Sequence, residues 1–163
     1  MFEHKAVGLN IFIIDKYFKM YLKKSLKKYD LNTAEGLVLL VFFKHNNKMS
    51  QNDLDEIHSG KEGKTQDEII SELHYDKGVM TRTMQSLEGK KYVTRKNNTE
   101  DSRSYIFELT EKAIHLRPDL LDILSEWNDI LLQGIDKELA DLIKSQLDKM
   151  VDNVIKDLSL PKK

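Results

Sequence analysis

The stretch "TQDEIISELHYDKGVMTRTMQSLEGKK", Thr65 to Lys91, decides the fold. Thr65 stands three residues before Glu68, the spacing of a capping box that opens a helix. Ile69, Ile70 and Leu73 then supply one apolar face. His74 and Tyr75 interrupt that pattern, and Asp76 is a second N-cap. In the helix that follows, Met80, Met84 and Leu87 form the buried side, and Lys77, Thr81 and Gln85 recur at i, i+4 and i+8 on the other, with Arg82 beside them. Two short helices, a tight turn and a polar face on the second helix describe a helix-turn-helix.

The residues after it add a hairpin. Tyr92–Lys96 and Ser104–Leu109 read as paired strands around "NNTEDSR", and Tyr105, Phe107 and Leu109 alternate with Ile106 and Glu108 at the period of a half-buried strand. The expected fold class is therefore mainly α with a small β-wing, a winged helix-turn-helix flanked by terminal helices. The first of these spans about residues 3–29, and a second, capped by Asn32 or Thr33, is apolar nearly all round and so central. Thr110 caps a further helix, and Pro118 inside it is expected to kink it or shift its start. A last helix covers about 136–158, with a long apolar stripe from Leu139 to Leu158. Between the second helix and Thr65, Ser50 is placed to cap a short helix ending near His58, with Gly60 as its stop and residues 59–64 as loop.

Charge separates along the chain. The net charge is −1, yet Lys77 to Arg103 holds seven cations against three anions, whereas Tyr105 to the end holds eight against twelve. One basic working face on an acidic body suits a polyanion. The 163 residues, 40% hydrophobic and 33% charged, suffice for one domain or one core with an elaboration. With no cysteine, disulfides, thiolate metal sites and thiol redox switches are excluded. "LNIFII" near the start is interrupted by Asp15 and Lys16, so neither a signal peptide nor a membrane span is expected, and the expected location is the cytoplasm. Neither a phosphate-binding glycine loop nor a recognisable nucleophile or zinc-protease motif is present, so no cofactor and no enzyme are expected.

A helix presenting Lys77, Thr81, Arg82 and Gln85 suits a major groove, where Arg and Gln pair with base edges. Arg103, beside the wing tip, suits a narrow minor groove, with Asp101 two residues earlier to orient it or brace the loop; Arg95 and Lys96 suit the flanking backbone. Histidines at 45, 58, 74 and 115, with Glu111 one turn before His115, leave a metal-responsive reading open, although a Glu–His pair is only two ligands.

The motifs resemble the MarR family of winged-helix transcriptional regulators. The likeness lies in Thr65-Gln66, Asp76-Lys77, Thr81-Arg82, Leu87-Glu88, Asp101-x-Arg103-Ser104 and Leu109-Thr110-Glu111-Lys112, in order and spacing. The resemblance implies a homodimer, joined through helices in residues 1–30 and 111–163. It implies DNA-binding lobes of residues 31–110, with 48–64 as an insertion, that bind a palindromic operator on double-stranded DNA. It further implies repression of neighbouring genes and release by a small anionic or phenolic effector. The chain departs from the family pattern at Lys91, where glycine is usual and nearby Gly89 is available to make the turn, and at Gly78, where Ser or Thr is usual. The rival of another class is a winged helix kept as a protein-docking scaffold.

Overall fold

The computed structural model describes residues 6–44 and 63–158. The expected helix capped by Ser50, and its stop at Gly60, fall outside them. The chain divides into two compact units, one ending at Leu124 and the other beginning at Ser125.

In the first unit α1 (Ala6–Leu26) runs into a 3-10 turn at Lys27–Tyr29 and then to α2 (Thr33–Lys44). Asn32, not Thr33, is the α2 cap. Its side-chain oxygen accepts from the Glu35 N–H at 2.9 Å, while the Glu35 carboxylate accepts from the Asn32 N–H at 2.7 Å. This reciprocal pair satisfies two of the helix's orphan donors. As expected, α2 is central: Val38, Leu39, Phe42 and Phe43 are all buried. A Cβ at Gly36 would collide with Leu26, so the glycine is what lets α1 and α2 approach this closely.

After the undescribed segment comes β1 (Lys64–Thr65), which pairs antiparallel with the later wing strand, Lys64 opposite Phe107 and Thr65 opposite Ile106. Lys64 is thus strand rather than the expected loop. Gly63 makes the approach possible, since a Cβ there would strike Ile106. Helix α3 (Gln66–Leu73) and helix α4 (Lys77–Gly89) follow. Strands β2 (Val93–Asn97) and β3 (Tyr105–Leu109) complete a three-stranded sheet of order β1-β3-β2. Phe107 is buried, but Tyr105 is exposed, so the alternation holds only towards the wing root.

One core joins these elements. Leu22 and Leu26 of α1, Ile69 of α3, Met80, Met84 and Leu87 of α4, Val93 and Phe107 of the wing, and Leu116, Leu120 and Ile123 pack with α2. Each such side chain, fully buried, contributes roughly 1.5–3 kcal/mol. Helix α5 (Glu111–Leu131) starts where Thr110 accepts from the Ala113 N–H, and it continues through Pro118 as one helix; the proline does not shift its start. The Tyr21 hydroxyl donates to the Ile123 carbonyl, tying α1 to α5.

The second unit holds the end of α5, a turn with Gly134 at φ 80°, and α6 (Lys137–Leu158), capped by Asp136. No residue of α6 is buried, and Leu142, Val151, Val154 and Leu158 are more than half exposed. Among the described residues no helix is long and apolar enough to cross a membrane.

Candidate nucleic-acid interface

The helix-turn-helix is built as its sequence asks. Thr65 and Glu68 form the full capping box, and the Thr65 backbone N–H, its hydroxyl and Lys64 hold the Glu68 carboxyl below its ordinary pKa. His74 adopts a left-handed φ of 54°, turning the chain, and its N–H donates to the Ile70 carbonyl. Asp76 caps α4 by accepting from the Val79 N–H at 2.8 Å. With Met80, Thr83, Met84 and Leu87 buried, the opposite side of α4 faces water. Lys77, Arg82 and Gln85 are exposed there, and their side chains make no ion pair or hydrogen bond among the described residues. Thr81 differs. It is half-buried, its hydroxyl donates to the Lys77 carbonyl, and it accepts from Gln66 Nε2 of α3, both at 2.8 Å.

The wing carries a second set of cations, most of them already engaged. Arg95 lies 3.4 Å from the Glu88 carboxylate and stacks 4.6 Å above the Tyr105 ring. Lys96 pairs with Glu108 across the hairpin at 2.6 Å. These exposed pairs hold the hairpin weakly, at under about 1 kcal/mol each. At the tip, Asp101 Oδ1 accepts from the Arg103 backbone N–H at 3.0 Å and meets its Nε at 3.4 Å. The Arg103 side chain is 90% exposed, and its outer guanidinium nitrogens remain open to a ligand. Asn98 and Ser104 close the loop behind it.

Beneath the wing lies a polar knot that sequence reasoning missed. The Glu35 side chain is 0% exposed, yet its carboxylate accepts from Ser86 Oγ at 2.6 Å and from Lys90 Nζ at 2.9 and 3.0 Å. Burial alone would raise its pKa; Ser86, the Asn32 N–H and Lys90 outweigh burial and hold the carboxyl below its ordinary value. Lys90 also donates to the Asp30 carbonyl. The end of α4 is thereby fastened to the start of α2. The Asn32-x-x-Glu35 capping spacing was the available signal for half of this knot; nothing local announced Lys90.

The turn from α4 into the wing is made at Lys91 itself, at φ 62°, and not at Gly89, which ends the helix. The Lys91 carbonyl accepts from Thr110, and the Lys112 ammonium lies 4.0 Å from the Tyr92 ring centroid, so the wing root is held from the α5 side.

Among the described residues no group of three or more His, Cys, Asp or Glu side chains could hold an ion. His115 Nδ1 lies 2.7 Å from the Glu111 backbone carbonyl, an arrangement internal to the helix. His45 and His58 fall outside the described residues.

A capped helix-turn-helix, a three-stranded wing and an exposed cationic face together define a winged-helix DNA-binding protein. Residues 20–120 match the family model described as transcriptional regulator SarA/Rot, and the chain belongs to that family, winged-helix regulators of the MarR type. It is 29% identical over 158 residues to the HTH-type transcriptional regulator BilQ of Clostridioides difficile (strain CD3), covering 96% of this chain and 91% of that one. Among solved structures it resembles a MarR transcriptional regulator from Methanosarcina mazei Go1, with TM-score 0.80, 27% identity, and 94% and 99% of the two chains covered. It also shares its fold with S. aureus MepR, solved as a DNA complex, at TM-score 0.72 and 21% identity, over 90% and 97% of the chains.

Proposed function

We propose that this transcriptional regulator is a homodimeric repressor that binds a palindromic operator on double-stranded DNA. The observation that carries the DNA reading is the α4 surface, where Lys77, Arg82 and Gln85 stand exposed and, among the described residues, unpaired, together with an Arg103 presented at the wing tip by its own aspartate. In this reading α4 enters the major groove and Arg103 the adjacent minor groove, while Arg95 and Lys96 trade their carboxylate partners for phosphates. The fold is one that MepR presents to DNA.

Dimerisation is supported by exposed apolar surface in both units. In α1, Leu9, Phe12, Tyr17 and Met20 are each more than half exposed, and α6 repeats the pattern. Surface of this kind calls for a protein partner. Residues 1–30 and 111–163 serve as the dimer region and 31–110 as the DNA-binding lobe. Release by a small anionic or phenolic effector is the part of the reading carried by family resemblance.

The test is a gel shift on the DNA upstream of the chain's own gene, repeated across salt concentrations, with the solution mass measured in parallel. Binding that weakens steeply with salt, by a species of twice the chain mass, is the expected result. Salt-independent association, or no binding, favours a protein-docking scaffold instead.

A further inference from the structure

The Thr81 hydroxyl has one proton and two lone pairs. The proton is committed to the Lys77 carbonyl at 2.8 Å. One lone pair is taken by Gln66 Nε2, also at 2.8 Å. The hydroxyl therefore has no hydrogen to give to the acceptors that dominate base edges in the major groove: guanine N7 and O6, adenine N7, and thymine O4. What Thr81 retains for a ligand is its γ-methyl and one lone pair, which only a base-edge donor, adenine N6 or cytosine N4, could use. The methyl sits on the same face as exposed Lys77 and Gln85, one helical turn from each.

We infer that Thr81 is a specificity-determining residue that reads DNA through its methyl group, against the C5-methyl of a thymine, with Gln66 as the positioning residue that keeps the hydroxyl turned inward. This rests on the operator reading above. It brings Gln66, at the start of α3, into recognition without a base contact of its own. It also separates Thr81 from its neighbours: Arg82 and Gln85 offer donors, whereas Thr81 offers a methyl group and no donor.

The experiment selects a duplex from a random pool with the full-length protein, then replaces its thymines one at a time with uracil, which lacks only the methyl. Affinities are measured for wild type, T81S and T81V, with thermal midpoints recorded to confirm folding. Ser keeps the hydroxyl and loses the methyl; Val does the reverse. The expected result is a thymine in each half-site whose replacement weakens wild type about fourfold, the scale of one buried methyl. T81V should keep that penalty, and T81S should bind the two duplexes equally. Equal uracil penalties in wild type and T81S overturn the assignment, as does the absence of a penalty at every thymine. If T81V does not fold, the wild-type and T81S comparison decides alone. A wild-type protein that enriches no sequence overturns the operator reading itself, a failure distinct from the others.

Discussion

Replacing Lys90 with Met tests the polar knot under the wing. The Glu35 carboxylate is wholly buried and Lys90 is about a quarter exposed, with N–O distances of 2.9 and 3.0 Å. Removing the ammonium leaves a buried anion with only the Ser86 hydroxyl and the Asn32 N–H. Breaking a fully buried pair in this way costs about 3–5 kcal/mol. Water reaches the Lys90 side, so the expected loss for Lys90→Met is about 2–3 kcal/mol, a large share of a typical domain's ~5–15 kcal/mol. Glu35→Gln removes the charge that needs a counterion, so the double variant should lose less than the two single losses combined, by at least ~1 kcal/mol. The assay is urea denaturation followed by circular dichroism at fixed protein concentration. The pH dependence follows from the depressed Glu35 pKa. A carboxyl with a folded pKa below its unfolded one adds stability that is present above the ordinary carboxylate range and lost as pH falls through the folded value. In Lys90→Met the folded pKa rises, so acid unfolding should begin at higher pH. A Lys90→Met loss below ~1 kcal/mol, or strict additivity in the double variant, refutes the dependence of Glu35 on Lys90.

Lys91→Gly should stabilise the chain by up to ~1 kcal/mol in the same assay, because a lysine holds a left-handed backbone there that glycine adopts without a Cβ penalty. Arg103→Ala should weaken DNA binding at all sites alike in a moderate-salt gel shift and lower the salt slope by about one; unchanged affinity would remove the wing tip from the interface. Arg82→Ala should cost about 1–3 kcal/mol of operator affinity and broaden the sequences selected from a random pool.

The elements with strong local signals were legible in the sequence: both caps of the helix-turn-helix, its buried methionines and the hairpin rest on interactions within a few residues. What escaped was set at long range. Strand β1 is two residues long and exists because β3 offers it an edge, so no periodicity could announce it. The Glu35–Lys90 pair spans 55 residues. The turn at Lys91 is imposed from both sides, by the end of α4 and by Thr110, against the residue's own preference. In the candidate interface, residue types were readable in the sequence but their contacts were not. Arg95 and Lys96 read in the sequence as contacts for the flanking backbone, and only the fold shows the carboxylates that hold them.

Thr65 ends β1 and caps α3 at once, and the next residue, Gln66, reaches across to Thr81. The wing's edge strand and α3 are therefore joined at a single residue, and one hydrogen bond carries α3 on to α4. A tilt of the hairpin that displaced β1 would carry the start of α3, and Gln66 with it, relative to Thr81 of α4. If α4 reads bases as proposed, selection acting on the outer hairpin would for that reason also retune which bases it prefers, with no substitution on the helix itself.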